Sequence, residues 1–331
     1  MAALQGRHKQ TALNSFFEAD MERVFDVKES PEGETSPDAK TKKIEGDAPG
    51  DCIDLTQDSP ASSSKGNTAE TKRKPSEKED SKLSLITWNV DGLDIEELPE
   101  RARGLWSYLD SYTPDVVFLQ ELIPPYVKFL KKRAVSYTLI EGGDKGYFTG
   151  MMLKKSRVNL LQSEIVTYPT TQMMRNLLVA QVNFKGQNLC LMTSHFESGK
   201  SSAEERMKQL QLVMQRMTEA PDDITVVFGG DTNLRDTEVA KVGLPSGVGD
   251  VWERLGKREH CCYTWDTKYN DNKTVSFLAR CRFDRIYFRP AAREGVPRLA
   301  PDNMALLGLE RRDCGRYTSD HWGIYCTFSA G

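Results

Sequence analysis

Leu83-Ser84-Leu85-Ile86-Thr87-Trp88-Asn89 is the stretch on which the reading of this chain turns. An apolar, β-leaning run of this length marks a buried strand, and this one ends on an amide. The same figure recurs. Val116–Leu119 runs through Gln120 into Glu121, Leu189–Met192 leads to His195, and Val226–Phe228 leads through two glycines to Asp231 and Asn233. Asp320 and His321 stand just before a last strand from Trp322 to Phe328. An Asp or Asn after a strand is ordinarily a turn residue. Five segments that each carry an acid, amide or imidazole at a strand terminus point instead to strand ends converging on one rim, as in sheet enzymes.

Helical patterns lie between these strands. Residues 99–112 place Ala102, Leu105, Trp106 and Leu109 at helical spacing, and Pro124 opens a helix to Arg133. A helix over about 201–219 carries Met207, Leu210, Leu212, Val213 and Met217 mostly along one face. Further β-leaning segments occupy 147–153, 158–166, 177–184, 188–193, 224–228 and 283–288. Strands alternating with helices predict an α/β class, with mixed sheets packed together and helices outside.

Working outward, composition divides the 331 residues unevenly. Residues 1–81 hold 12 Lys and Arg against 17 Asp and Glu, and only three aromatics, Phe16, Phe17 and Phe25. The remaining 250 hold 33 basic against 31 acidic residues and the other 26 aromatics. The first part cannot bury enough apolar area to offset chain entropy, whereas the second is large enough for one substantial core. A disordered acidic tail over 1–81 and one globular, monomeric domain over 82–331 are expected. Three short features mark the tail. Thr11 to Phe17 has the form of the last turns of a short amphipathic helix. Cys52-Ile53-Asp54-Leu55-Thr56 is a β-prone island among acids and serines and resembles a SUMO-interacting motif, with Ile53, Asp54, Leu55 and Thr56 as its contact residues. Thr71-Lys72-Arg73-Lys74-Pro75 has the composition of a nuclear address or of a solvated linker.

Several classes fall away. No apolar run approaches the roughly 20 residues that span a bilayer, so no membrane insertion is expected. Met1 to Asp20 lacks a long apolar stretch and an Arg-rich transit pattern, which favours nucleus and cytoplasm over secretion. The seven cysteines are odd in number and form no C-x-x-C pair, which suits reduced thiols rather than a disulfide framework or a zinc ribbon. A net charge of −3 argues against charge-driven coating of nucleic acid. The polar residues narrow the chemistry further. Carboxylates and an amide without thiolates suit Mg²⁺ or Mn²⁺ rather than zinc. No H-E-x-x-H, P-loop or G-x-S-x-G pattern is present. What remains is metal-assisted hydrolysis of a phosphoester.

At these residues the chain resembles the endonuclease/exonuclease/phosphatase superfamily. The matching blocks are Thr87-Trp88-Asn89, Leu119-Gln120-Glu121, Thr193-Ser194-His195, Gly230-Asp231-Thr232-Asn233, Arg282-Phe283-Asp284-Arg285 and Ser319-Asp320-His321-Trp322-Gly323, in order across residues 82–331. Residues 87–93, 173–178, 193–198, 230–235, 263–267 and 313–316 resemble more closely the branch that acts on DNA 5′ ends linked to tyrosine, with Thr232 in place of the common aromatic.

The resemblance implies a four-layer α/β sandwich of two mixed β-sheets flanked by helices. It implies Mg²⁺, with Mn²⁺ as substitute, held by Glu121 and Asp320, with Asn89 nearby. Asp231 would orient and deprotonate the attacking water, helped by Asn233. His195 and His321 would donate to the phosphate, with Asp284 behind His321. Tyr147, Arg175, Ser198, Arg235 and Trp265 would grip the DNA end. The implied reaction is hydrolysis of the phosphodiester joining tyrosine to a DNA 5′ end, releasing 5′-phosphate DNA in repair of trapped topoisomerase II adducts. Residues 12–18 match only the last helix of the branch's ubiquitin-associated domain. Three helices are needed to bury a core, so ubiquitin binding is not expected. Signalling adaptors are further partners that the resemblance implies. The alternatives are another phosphoesterase of the same fold, such as an abasic endonuclease or a phosphatase, or a SUMO- or adaptor-binding protein with vestigial catalysis.

Overall fold

The computed structural model describes residues 81–330. The three tail features, at residues 11–17, 52–56 and 71–75, lie outside the described residues, as does the expected tail up to residue 80.

Fourteen strands follow in chain order: β1 Leu83–Asn89, β2 Val116–Leu122, β3 Tyr137–Glu141, β4 Phe148–Lys154, β5 Val158–Thr167, β6 Asn176–Phe184, β7 Gln187–His195, β8 Thr225–Asp231, β9 Gly249–Asp250, β10 Trp265–Asp266, β11 Arg280–Cys281, β12 Asp284–Arg289, β13 Leu299–Leu307 and β14 Gly323–Ala330. The helices are α1 Leu98–Tyr112, α2 Pro124–Arg133, α3 Ala203–Glu219, α4 Asp236–Val242 and α5 Val251–Arg254. One six-stranded sheet has the order β13-β14-β1-β2-β4-β3, a second has β5-β6-β7-β8-β12-β9, and β10 and β11 form a two-stranded ribbon. Both large sheets are mixed: β1–β2 and β7–β8 pair in parallel and the other pairs are antiparallel.

Three apolar clusters make this a four-layer sandwich. The central one joins Leu85, Phe118 and Ile324 of the first sheet to Leu191, Val227 and Ile286 of the second. Ile86, Trp88 and Leu119, on the other face of the first sheet, pack with Leu105 of α1 and Tyr126 and Leu130 of α2. Met192 and Phe228 pack with Leu210, Val213 and Met217 of α3. The layers therefore run helix, sheet, sheet, helix. Among the described residues no helix is long and apolar enough to cross a membrane.

The period-two alternation of strands places the polar residues. In β1 the face that carries Leu83 and Leu85 toward the other sheet continues through Thr87 to Asn89. In β7 it runs Leu189, Leu191, Thr193, His195, and in β8 Thr225, Val227, Gly229, Asp231. In β12, running the other way, it runs Phe288, Ile286, Asp284. Apolar side chains fill the middle, and the last inward positions are polar. Between them Gln120 Nε2 reaches Thr87 Oγ1 and Thr193 Oγ1 at 3.3 and 3.2 Å, which closes the core beneath the rim.

The expected strands and long helices are present, with one adjustment. The buried face of α3 consists of Arg206, Gln209, Leu210, Val213, Met214 and Met217, while Met207 and Leu212 are only half-buried. Arg206 is hidden because Glu238 of α4 takes its guanidinium at 2.7 Å, so a charge sits where apolar spacing alone pointed to a methionine.

Candidate active site

Five strand ends and the turn before β14 meet on one rim. Asn89 Nδ2 donates both to Glu121 Oε1, at 3.0 Å, and to Asp231 Oδ2, at 2.9 Å, across 142 residues of chain. Glu121 departs from the alternation. Its φ is +58°, at a bulge where the β2–β4 register shifts between Leu119 and Leu122. A non-glycine residue in the left-handed region is uncommon and concentrates at sites where the surroundings over-determine the backbone. Asp91 and Asn233, both at this rim, share that region at +50° and +51°. Asp231 Oδ1 accepts the backbone N–H of Asn233 at 3.0 Å, and Asn233 Nδ2 donates to the Phe196 carbonyl.

The two histidines flank Asp231 in opposite charge states. His195 Nε2 lies 3.3 Å from Asp231 Oδ2, and His321 Nε2 lies 3.7 Å from it. Arg175 donates to His195 Nδ1 at 3.0 Å, which leaves the ring proton on Nε2. Burial, with Arg175 and His321 adding repulsion, holds His195 well below the ordinary histidine range, so it is neutral. His321 Nδ1 donates to Asp284 Oδ2 at 2.7 Å. Burial opposes its charge, but Asp284, Asp231 and Asp320 outweigh that and hold it well above the ordinary range, so it is a cation. Asp231 is pushed up to about 6, chiefly by burial, with the His321 charge pulling it back.

A second group of acids lies beside this one. Burial and then the repulsion of Asp320 push Glu121 up. Burial, then Asp320 and Glu121, push Asp91 up to about 7. Asp91 is 3% exposed, and its Oδ2 accepts no hydrogen bond. Buried hard-oxygen carboxylates that still repel one another, with Lys273 and Arg101 offsetting only part of the charge at Asp91, are the donor set of a divalent cation that keeps several waters. Asp231, Asp284 and His321 also bring three ligand atoms within 4.8 Å of one another. There, however, the His321–Asp284 hydrogen bond already takes up Nδ1, and the cation is the imidazolium itself. Glu121 and Asp320, with Asp91 beside them, fit a metal better.

The remaining sequence candidates line the same rim. The Arg175 guanidinium lies 4.8 Å over the Tyr147 ring, and Tyr147 meets His195 edge-on with centroids 6.3 Å apart. Ser198 Oγ contacts Met173 Sδ at 3.4 Å. Arg235 caps α4, donates to the Asn233 carbonyl at 2.7 Å and lies 5.1 Å over Phe283. Trp265 packs on Phe283 and donates from Nε1 to Asp320 Oδ2 at 3.2 Å. Asp91 and Glu197 are functional-site neighbours that the sequence reading did not select. Each follows a selected residue, Asn89 or His195, by two positions but lies beyond the strand end, where alternation no longer fixes the side chain's direction; Asp91 has φ +50°. An acid so close after a selected strand-end residue is the only signal the sequence carries for them.

A mixed-sheet sandwich with acids, amide and imidazoles gathered on one rim defines a divalent-metal-dependent phosphoesterase. The chain belongs to the Endonuclease/Exonuclease/phosphatase family, whose model matches residues 86–321, and it is an enzyme, a phosphodiesterase. It is 61% identical over 333 residues to the Tyrosyl-DNA phosphodiesterase 2 of Danio rerio, covering 97% of this chain and 90% of that one. It is 50% identical over 318 residues to the Tyrosyl-DNA phosphodiesterase 2 of Homo sapiens, covering 96% and 83%. Among solved structures, it is similar to D. rerio TDP2 complexed with a single-strand DNA product. The TM-score is 0.74 and the identity 68%, over 76% of this chain and all of that one.

Proposed function

We propose that this chain hydrolyses the phosphodiester between a tyrosine and a DNA 5′ end, using Mg²⁺ or in its place Mn²⁺, and releases 5′-phosphate DNA. Its task would be the clearing of trapped topoisomerase II adducts in the nucleus and also the cytoplasm, acting as a monomer. The observation that carries the chemistry is Asp231, held by Asn89 and facing one neutral and one charged histidine. The names of the relatives carry the choice of substrate.

In this proposal Glu121 and Asp320 hold the metal, with Asp91 beside them. When bound, the ion supplies charge neutralisation at the phosphate oxygens. Asp231 Oδ2 orients the attacking water and takes its proton, while Asn89 and the Asn233 N–H fix the carboxylate. His321 Nε2 and His195 Nε2 face Asp231 in the free protein, and a phosphate placed against them receives both donors as its charge builds. Asp284 accepts from His321 Nδ1 and holds the ring as the imidazolium, so that Nε2 also carries a proton to donate. A tyrosine phenol has a pKa of about 10, so a phenolate departs with little proton assistance. Arg175, Tyr147, Arg235, Ser198 and Trp265 hold the DNA end by stacking and phosphate contacts. For the tail, residues 52–56 as a SUMO-binding strand and 71–75 as a nuclear address complete the proposal, and signalling adaptors remain proposed partners.

The test is cleavage of a 5′-phosphotyrosyl oligonucleotide by the full chain with Mg²⁺, beside 3′-phosphotyrosyl, abasic and inositol-phosphate substrates. The 5′-linked substrate is expected to be turned over fastest. Glu121→Ala and Asp231→Asn are each expected to abolish cleavage while the protein stays folded by circular dichroism. Faster turnover of an abasic duplex, or undiminished turnover in either variant, defeats the proposal.

A further inference from the structure

Four carboxylates, Asp91, Asp94, Glu121 and Asp320, crowd the outer side of the site, and three cations, Arg101, Lys273 and Arg316, face them. Arg101 of α1 is already committed: its donors reach the main-chain oxygens of Val90, Asp91, Asp94, Glu96 and Thr318, and it stays 3.8 Å from Asp91 Oδ2. Lys273 is placed differently. It comes from the 267–279 loop between β10 and β11, and its Nζ lies 2.9 Å from Asp91 Oδ1 and 2.8 Å from Asp94 Oδ2. The loop is fixed on both sides of it. Asn270 Nδ2 donates to the Ser319 carbonyl at 2.9 Å, Asn272 Nδ2 to the Tyr317 carbonyl at 2.9 Å, and Arg316 to the Asn272 carbonyl at 2.8 Å. Asp94 is shared in turn with Arg316 at 2.8 Å. The ammonium is thus held at one point between two carboxylates, beside the buried Asp91 Oδ2 that accepts no hydrogen bond.

We infer that Lys273 is a tethered counter-cation that fills the outer end of this carboxylate cluster and restricts the chain to a single divalent ion at Glu121 and Asp320. Two carboxylate oxygens within hydrogen-bond reach of one point are the protein ligands a water-retaining Mg²⁺ or Mn²⁺ takes. An ammonium supplied from the chain occupies that point, held by both carboxylates, and a second dication there would be repelled by it. A lysine that merely straps the loop would make the same two contacts, so the number of bound ions is the property that separates the two roles. The inference rests on the metal assignment proposed above.

The test counts Mn²⁺ on the full chain by electron paramagnetic resonance, with Mg²⁺ as competitor. The wild-type chain is expected to bind one ion, lost in Glu121→Gln. Lys273→Met, which keeps length and removes charge, is expected to bind two, the second at least tenfold tighter than any second ion on the wild type. Adding Asp91→Asn to Lys273→Met should return the count to one, and Lys273→Arg should stay at one. Lys273→Gln serves as a second neutral variant should the methionine variant fail to fold. A folded neutral variant that still binds one ion with unchanged affinity overturns the inference and leaves the metal assignment standing. An ion retained in Glu121→Gln overturns the metal assignment, and the inference with it.

Discussion

Asp284 is the residue that makes the two histidines unlike. Both rings are buried against Asp231, yet only His321 has a carboxylate on its rear nitrogen, at 2.7 Å, whereas His195 has the Arg175 guanidinium there. Replacing Asp284 with Asn removes the first of the charges that hold His321 up. Its imidazolium is then lost at lower pH, so the alkaline limb of the kcat profile should shift toward acid. Loss of one charged donor to a developing oxyanion typically costs about 10²–10³ in kcat, and a fall of that order is expected for Asp284→Asn. A pH–rate profile with the wild-type alkaline limb would remove Asp284 from this role. At this scale the sequence disclosed most of the site, because Asn89, His195, Asp231 and Asp284 are strand-end residues whose inward side follows from alternation alone. It did not disclose the Arg175–His195 contact or the Lys273 ion pairs. These depend on loop conformations, and the inward turn of Glu121 depends on a backbone at φ +58° that no side-chain pattern encodes.

Between residue and fold, the connection from β5 to β6 shows how an element without regular structure is held. Glu197 Oε1 accepts Thr171 Oγ1 at 2.8 Å and the backbone N–H groups of Gln172 and Met173, while its own N–H donates to Gln209 of α3 at 2.9 Å. Arg175 then donates its backbone N–H to Thr171 Oγ1 at 2.9 Å, so α3 is linked through Glu197 and this loop to His195. Glu197→Ala leaves those donors without a carboxylate, a loss of about 1–3 kcal/mol in stability. It should also raise KM for the 5′-phosphotyrosyl substrate about tenfold, with a smaller effect on kcat, because Glu197 reaches the reaction only through Arg175. Denaturant unfolding together with steady-state kinetics checks both, and an unaltered KM would leave Glu197 a purely structural role. The long elements were legible in the sequence because apolar period and length agreed. β13 was not: Pro301 interrupts its pattern, and the β13–β14 register does shift between Pro301 and Asn303. β3, β9, β10 and β11 are two to five residues long, too short for a period to appear.

For the molecule as a whole, gathering so many acids at the end of an apolar sandwich has a consequence for stability. Without a divalent ion, Asp91 at about 7, Asp231 at about 6 and a raised Glu121 keep protons in the folded state that the unfolded chain gives up near pH 4. His321, held above its ordinary range, keeps its proton above pH 6.5 while the unfolded chain loses it. Where the folded state binds more protons, stability falls as pH rises, and Asp91, Asp231 and His321 act in that sense between pH 5.5 and 8, while Glu121 acts in the same sense above its ordinary range. His195 alone among the shifted site residues opposes them: its low value means that the unfolded chain takes up a proton below about pH 6.5 and the folded one does not. Asp94, lowered to about 2 by Lys273 and Arg316 against its burial, adds stability that is lost only as pH falls through that value, so it is constant across this window. The chain in EDTA should therefore melt at a higher temperature at pH 5.5 than at pH 8, by roughly 2–4 °C for each kcal/mol of the imbalance. On the proposed metal assignment, a divalent ion would bind the charged carboxylates and displace those protons, and Mg²⁺ is the ion to test. It should raise the midpoint at pH 8 much more than at pH 5.5 and so flatten the slope. Scanning calorimetry at both pH values, with and without Mg²⁺, decides it. A midpoint in EDTA that climbs with pH would mean that these acids are already compensated within the protein, and that the rim does not depend on a cation to offset its charge.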